Sequence, residues 1–198
     1  MSCPDEQKRS QIIAAATREF AKGYKAAHTD DIARAAGISK GLLFHYFGCK
    51  EKLYEATLQH AAQVIRAEFI SQIDFECGDI LERIWRAISL KMDLTYKHPA
   101  LFEFTTTAYV EGTELSKEQF MPFYTDMATK LFANIDESLF KAGIDPQKAA
   151  RVIHWSLTGY ANSHVAPDKK LADYQGEYEK YLSEMREYFI MFKEVFYK

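Results

Sequence analysis

Apolar positions recur along this chain at three- and four-residue intervals, with polar residues between them. Ile12, Ile13, Ala16 and Phe20 form one such stripe, and Leu53, Tyr54, Leu58, Ala61, Ile65 and Phe69 another. Ile80, Ile84, Trp85, Ile88 and Met92 form a third. This is the spacing of one helix face, and no stretch alternates with the period of two that marks a half-buried strand. Start and stop signals then divide the pattern. A first helix begins near Pro4 or Asp5 and runs to about Lys22, where Gly23 ends it. Two short helices lie between Thr29 and Phe47. A fourth helix runs from Lys50 to about Ser71, a fifth from its cap Asp79 to about Tyr96, and a sixth from Pro99 to about Val110. Ser116-Lys117-Glu118-Gln119 reads as a capping box for a seventh helix that reaches Ala142 before Gly143, with Pro122 near its first turn. Asp145-Pro146 opens an eighth, which Pro167 closes, and a ninth spans about Ala172 to Phe196. The expected fold is all-α, with nine helices.

The stretch around which the chain is organised covers about residues 28–47, HTDDIARAAGISKGLLFHYF. Thr29 is expected to cap a short helix, with Asp30 and Asp31 at the positive end of its dipole. Gly37 stands where a helix ends in the left-handed conformation, and Ser39 is a second good cap. A helix, a turn of a few residues containing Gly, and a second helix bearing Lys, His and Tyr is the helix-turn-helix plan for the DNA major groove. On the second helix Leu42, His45 and Tyr46 are candidates for base contact, with Lys40 reaching phosphate or guanine. Gly41 removes a side chain where a DNA backbone would come close. Thr29 and Ser39, at helix N-termini, can donate to phosphates. Leu43 and Phe47 read as core, and Phe44 fits either side. Lys8 and Arg9 on the first helix fit phosphate contact and a solvated face equally.

The run Thr29-x-x-Ile32-Ala33-x-x-Ala36-Gly37-Ile38-Ser39-Lys40-Gly41-x-Leu43-x-x-Tyr46-Phe47-x-x-Lys50-Glu51-x-Leu53 resembles the N-terminal domain of the tetracycline-repressor (TetR) family. The resemblance covers residues 8–55 or so. It implies a DNA-binding domain over residues 1–50 and an effector-binding and dimerisation domain over 51–198, joined through the fourth helix. Lys50 resembles the family's phosphate-gripping lysine. The family often has Ser, Asn or Asp where Cys49 stands, and Cys49 is a poor cap. The implied function is sequence-specific regulation of transcription, as a repressor that leaves a palindromic operator when a small, largely apolar ligand binds.

Composition changes this picture little. The 198 residues are 47% hydrophobic, enough for a sizeable core, and carry a formal net charge of −3. That charge is unevenly spread: residues 1–60 carry +2 and residues 61–198 carry −5. The basic excess lies where DNA would be met. Three cysteines share no disulfide or metal-ligand spacing. The six histidines form no metal-binding pair on a helix face, and no nucleophile elbow or phosphate-cradling loop is present. No cofactor, metal or enzymatic activity is therefore expected. With no apolar run near 18 residues, a cytoplasmic protein with no membrane partner is expected.

Two further sites are expected from the aromatic residues. Trp85, Tyr96, Phe102, Thr105, Tyr109, Phe123, Tyr124 and Trp155 are candidates to line a ligand pocket, mostly apolar with few polar anchors. Trp155, Tyr160, Tyr178, Tyr181, Met185 and Tyr188 are candidates for a homodimer interface, which the resemblance places in the last two helices. For every one of these, an ordinary core stripe is the competing reading. A helical ligand-binding or interaction protein with weak or lost DNA binding is the alternative function.

Overall fold

The periodic stripes become nine α-helices, with no strand, among the residues described by the computed structural model, 4–163 and 178–198. They are α1 (Pro4–Phe20), α2 (Thr29–Ala35), α3 (Lys40–Phe47), α4 (Lys50–Glu68), α5 (Ile80–Lys97), α6 (Pro99–Glu111), α7 (Glu114–Leu131), α8 (Pro146–Ser163) and α9 (Tyr178–Phe196). Several local signals act as the sequence suggests. The Asp79 carboxylate accepts the Glu82 amide at 3.1 Å, and the Asp145 carboxylate accepts the Lys148 amide at 3.1 Å. Pro99 opens α6, where its missing N–H costs nothing.

Three expectations need correction. The cap of α2 is His28, whose side chain makes no capping bond, and Thr29 is the first helical residue. The fourth helix stops at Glu68 and is followed by a 3-10 turn over Ile70–Gln72. The seventh starts earlier than its capping box and ends well before Ala142. Thr113 caps it, its hydroxyl accepting the Ser116 amide at 3.2 Å. Ser116 is buried one turn inside, and Pro122 lies in the middle of the helix. Beyond Leu131 the chain turns through Asn134, at φ 51°, into a 3-10 turn over Glu137–Leu139. The start expected for the ninth helix, Ala172, lies outside the described residues, as does Pro167.

The chain forms two compact units, residues 1–67 with 97–124 and residues 68–96 with 125–198. In the first, α1 to α4 close around Ile12, Phe20, Ile32, Leu43, Leu53 and Leu58, all at most 1% exposed, and α6 adds Phe104 at 0%. Phe20, Tyr54 and Phe104 pack edge to face or tilted, with ring centroids 4.9 Å (Phe20–Tyr54) and 5.8 Å (Tyr54–Phe104) apart. The second unit is built on Ile80, Leu81 and Ile84 of α5, Ala150, Ile153 and Leu157 of α8, and Met185 and Phe189 of α9.

Within that second core lies a charge that the sequence reading did not single out. Arg83 is 2% exposed. Its Nη1 donates to the carbonyls of Lys130, Leu131 and Ala133, and Nη2 to that of Asn134. Nε donates to the Cys77 carbonyl at 3.1 Å, and Nη2 bonds the same oxygen. The last carbonyls of a helix lack intrahelical partners and carry the negative end of its dipole. A planar cation with five donors satisfies several at once and explains why α7 ends at Leu131.

Replacing Arg83 with Met should lower the unfolding free energy by about 3 kcal/mol, since several buried carbonyls lose their donors together. Arg83→Lys keeps the charge but not the fork, and its urea midpoint should fall between the two. A midpoint for Arg83→Met close to that of the wild type would show that the clamp contributes little.

Candidate nucleic-acid interface

The candidate surface is built by α2, α3 and the turn between them. Gly37 at φ 65° ends α2 in the left-handed region, with the Ile38 amide bonded to the Ala33 carbonyl and the Gly37 amide to that of Arg34. This double closure turns the chain sharply and leaves Ser39 in extended backbone, its hydroxyl accepting the Leu42 amide at 3.2 Å. Helix α3 then divides into two faces. Leu43 (0%) and Phe47 (5%) are buried, while Lys40, Gly41, Leu42 and His45 are exposed. Phe44 and Tyr46 are half-buried between them.

Several of the expected DNA-binding residues already have partners in the chain. The Lys40 ammonium lies 3.0 Å from the Asp30 carboxylate, with both side chains at least half exposed. Such a pair is worth at most about 1 kcal/mol and yields readily to phosphate. The Tyr46 hydroxyl donates to Asp5 at 2.6 Å. Lys50 donates to the Ala27 carbonyl at 2.6 Å, and its ammonium sits 4.7 Å from the centre of the Tyr24 ring. Arg9 lies over the Phe47 ring at 4.6 Å, so it packs on the back of α3. Thr29 is half-buried in the first turn of α2.

Two carboxylates that hold this surface were missed in the sequence. Glu19 of α1 accepts the His28 amide at 3.2 Å and the Lys22 ammonium at 2.6 Å, doing for α2 what its cap residue does not. Glu111, just past the expected end of the sixth helix, is the last residue of α6, and both of its oxygens accept the Tyr24 amide, at 3.0 and 3.1 Å. These partners lie 9 and 87 residues away from their carboxylates, so no local pattern announces them.

The residues expected to line a ligand pocket are divided between the units. Trp85, Tyr96 and Trp155 lie in the second; Trp85 packs on Phe189 at 5.3 Å, and Trp155 is 65% exposed. Phe102, Thr105 and Tyr109 lie in the first, where Thr105 is buried and gives its hydroxyl proton to the Phe102 carbonyl. Tyr109 borders an open groove of about 350 Å³ with Val110, Gly112, Ser116, Lys117, Phe120 and Met121. The side chains of Phe123, Tyr124 and Tyr178 are outside the description. Of the expected dimer residues, Met185 is fully buried in the chain's own core and has no surface to offer a second copy. Tyr160 stacks on Tyr181 at 5.1 Å and donates to Glu184. Burial pushes its phenol well above the ordinary range, and Glu184 adds to this. Tyr188 is exposed, as are Met191 and Val195, two residues the sequence reading passed over.

A helical chain with a capped helix-turn-helix, core on one side of its second helix and polar groups on the other, is of the class that docks on nucleic acid. Residues 12–57, about a quarter of the chain, match bacterial regulatory proteins of the tetR family, and this supports a TetR-type transcriptional regulator. It is 44% identical to the transcriptional activator FasR of Mycolicibacterium smegmatis over 57 residues, 28% of this chain and only 26% of that protein. With the transcriptional regulator RutR of Escherichia coli it shares 28% identity over 160 residues, 78% of this chain and 74% of that protein. A TetR-family regulator from Chloroflexus aurantiacus has the same fold, with a TM-score of 0.64 at 17% identity over 98% of this chain and 94% of that one. These relatives are named as regulators of transcription, not as enzymes. Among the described residues no helix is long and apolar enough to cross a membrane.

The Glu19 contacts make a pH-dependent contribution to stability. Burial pushes its carboxyl up, but the Lys22 ammonium and the His28 amide more than offset this and hold it below the ordinary 4.5. A carboxyl depressed on folding stabilises the fold above its unfolded pKa, and that contribution is lost as pH falls through the folded value. Urea unfolding followed from neutral pH downward should therefore show a shallower acid loss for Glu19→Gln than for the wild type. Identical acid limbs would count against the assignment.

Proposed function

We propose that this protein is a sequence-specific DNA-binding regulator of transcription that works as a homodimer on a palindromic operator. The observation that carries the reading is the two-faced α3, with Leu43 and Phe47 buried and Gly41, Leu42 and His45 exposed, inside a tetR-family domain. Residues 1–50 form the reader, with Thr29, Ser39, Lys40 and Lys50 holding phosphates and Leu42, His45 and Tyr46 meeting base edges. Residues 51–198 receive a small, largely apolar effector and pair the two copies. Two readers on a two-fold axis stand about 34 Å apart, one turn of DNA. The effector releases the protein by binding its DNA-incompetent state more tightly, so the mode is repression in the cytoplasm. A relative named as an activator is 44% identical over 57 residues, so the sign is to be read from transcription of the neighbouring genes with and without the protein.

Val152 and Trp155 of α8 and Tyr188, Met191 and Val195 of α9, each 42–65% exposed, support the dimer as an apolar face on two packed helices. Trp155→Glu and Met191→Glu place a charge on that face without touching the core. Each variant should sediment as a folded monomer; an unchanged mass for both would remove α8 and α9 from the interface.

Binding to DNA flanking the protein's own coding region, beside a scrambled duplex and over a range of salt, tests the reader. Lys40→Ala should weaken binding about tenfold and lower the salt slope by about one per reader. Gly41→Ala has no atom closer than 3.9 Å to the added carbon and should raise helix stability by about 0.5 kcal/mol or more, yet weaken binding. A more stable protein that binds DNA less well is explained only by close approach of the backbone. The second reading, a ligand-binding or interaction protein that has lost DNA binding, draws on Asp5, Asp30 and Asp31 beside the reader. An affinity that does not respond to salt would favour it.

A further inference from the structure

We infer that Glu111 is a positioning residue for DNA binding, acting through Tyr24 on Lys50; the inference rests on the proposed reading of the helix-turn-helix. Helix α6 meets α1 and α4 through Phe104 and the connection between α1 and α2 at two further points, all inside the first compact unit. Phe104 packs against Phe20 and Tyr54, Thr107 donates its hydroxyl to the Ala21 carbonyl at 3.0 Å, and Glu111 accepts the Tyr24 amide with both oxygens. The fit at the last point is close. Gly23, at φ 105°, brings its backbone so near that a β-carbon there would stand 2.7 Å from Glu111 Oε1.

Tyr24 is the next link. Its ring lies between Tyr54, 4.9 Å away and edge-on, and the Lys50 ammonium, 4.7 Å from its centre. A ring so placed attracts the cation through its quadrupole. Lys50 has three donors, and one is spent on the Ala27 carbonyl, just before the start of α2. The ammonium is therefore held in a fixed place between the α1–α2 connection and the first turn of α4, with donors left for a phosphate. Glu111 fixes the Tyr24 backbone and so fixes the ring against which Lys50 rests. Without it the lysine loses one wall of its seat while retaining its charge.

The test compares Glu111→Ala and Glu111→Gln in the full-length chain. Glutamine retains an acceptor for the Tyr24 amide and alanine does not. The Ala variant should bind the operator-containing duplex roughly three- to tenfold more weakly, with a salt slope shallower by about one per reader, and the Gln variant should restore both. A merely structural role would lower the melting temperature and leave the salt slope unchanged. By NMR, the Lys50 methylene protons should carry a ring-current shift from Tyr24 in the wild type and the Gln variant, lost in the Ala variant. Wild-type affinity and slope in the Ala variant, or equal weakening in both variants, overturns the inference, and so does a ring-current shift that survives in the Ala variant. If the wild type binds no duplex, the proposed function fails, and the NMR comparison still decides whether Glu111 seats Lys50.

Discussion

Every helix leaves backbone amides at its start and carbonyls at its end without partners, and a chain with nine helices among its described residues must satisfy many of them away from water. Much of this structure follows from how that is done. Neutral caps serve some ends, as Ser39 and Thr113 show. At the start of α2, after α7 and within the connection between α1 and α2, ionised side chains reach backbone groups from other parts of the chain. Glu19 takes the amide of His28, Glu111 that of Tyr24, Lys50 the carbonyl of Ala27, and Arg83 the carbonyls that follow α7. Hydrogen bonds with an ionised partner are roughly twice as strong as neutral ones, so each of these contacts ties together two parts of the chain.

Three of these four contacts surround the connection between α1 and α2. They fix where α2 begins, and the tight closure at Gly37 then fixes where α3 begins. A reading helix of two turns has little stability of its own. Its direction is borrowed from Leu43 and Phe47 in the core, from Arg9 behind it, and from the charged groups that hold its neighbours. The nearby acidic residues are consistent with this. Asp30 and Asp5 hold Lys40 and Tyr46 through exposed contacts, so on the proposed reading a DNA partner displaces weak contacts rather than buried ones.

What was legible in the sequence was local. Gly37, Ser39, Asp79, Pro99 and Asp145 each act within one turn of themselves, and each marks its boundary as expected. The division of α3 into a core face and an exposed face also follows from spacing alone. Errors arose where a distant group decides the outcome. The seventh helix stops at Leu131, where Arg83 collects the carbonyls, and the left-handed Asn134 just beyond it was not read as a stop. The capping box at Ser116 was plausible in isolation and lost to Thr113, which follows directly on the left-handed Gly112 at the end of α6. Thr29 is the first residue inside α2, and the amide of the cap residue His28 is served by Glu19 from the preceding helix.

The aromatic residues show the same limit from another side. Trp155 and Met185 both sit on apolar stripes of the last two helices, yet one is 65% exposed and the other fully buried. Composition assigns both to a buried face. Their difference comes from which side of α8 and α9 packs against the chain's own core, and helix periodicity leaves that orientation undetermined. Exposed Tyr188, Met191 and Val195 recur on α9 at three- and four-residue intervals, while Met185, Phe189 and Phe192 keep the same spacing on the buried side. A helix apolar on two faces has more hydrophobic surface than one chain covers, and burying the second face requires another copy or another partner. The tyrosines at the α8–α9 contact add a polar element to that face, since the Tyr160 hydroxyl is already committed to Glu184 within the chain. Val152, Trp155, Tyr188, Met191 and Val195 then present exposed apolar side chains, the kind that two copies of one chain can bury against each other.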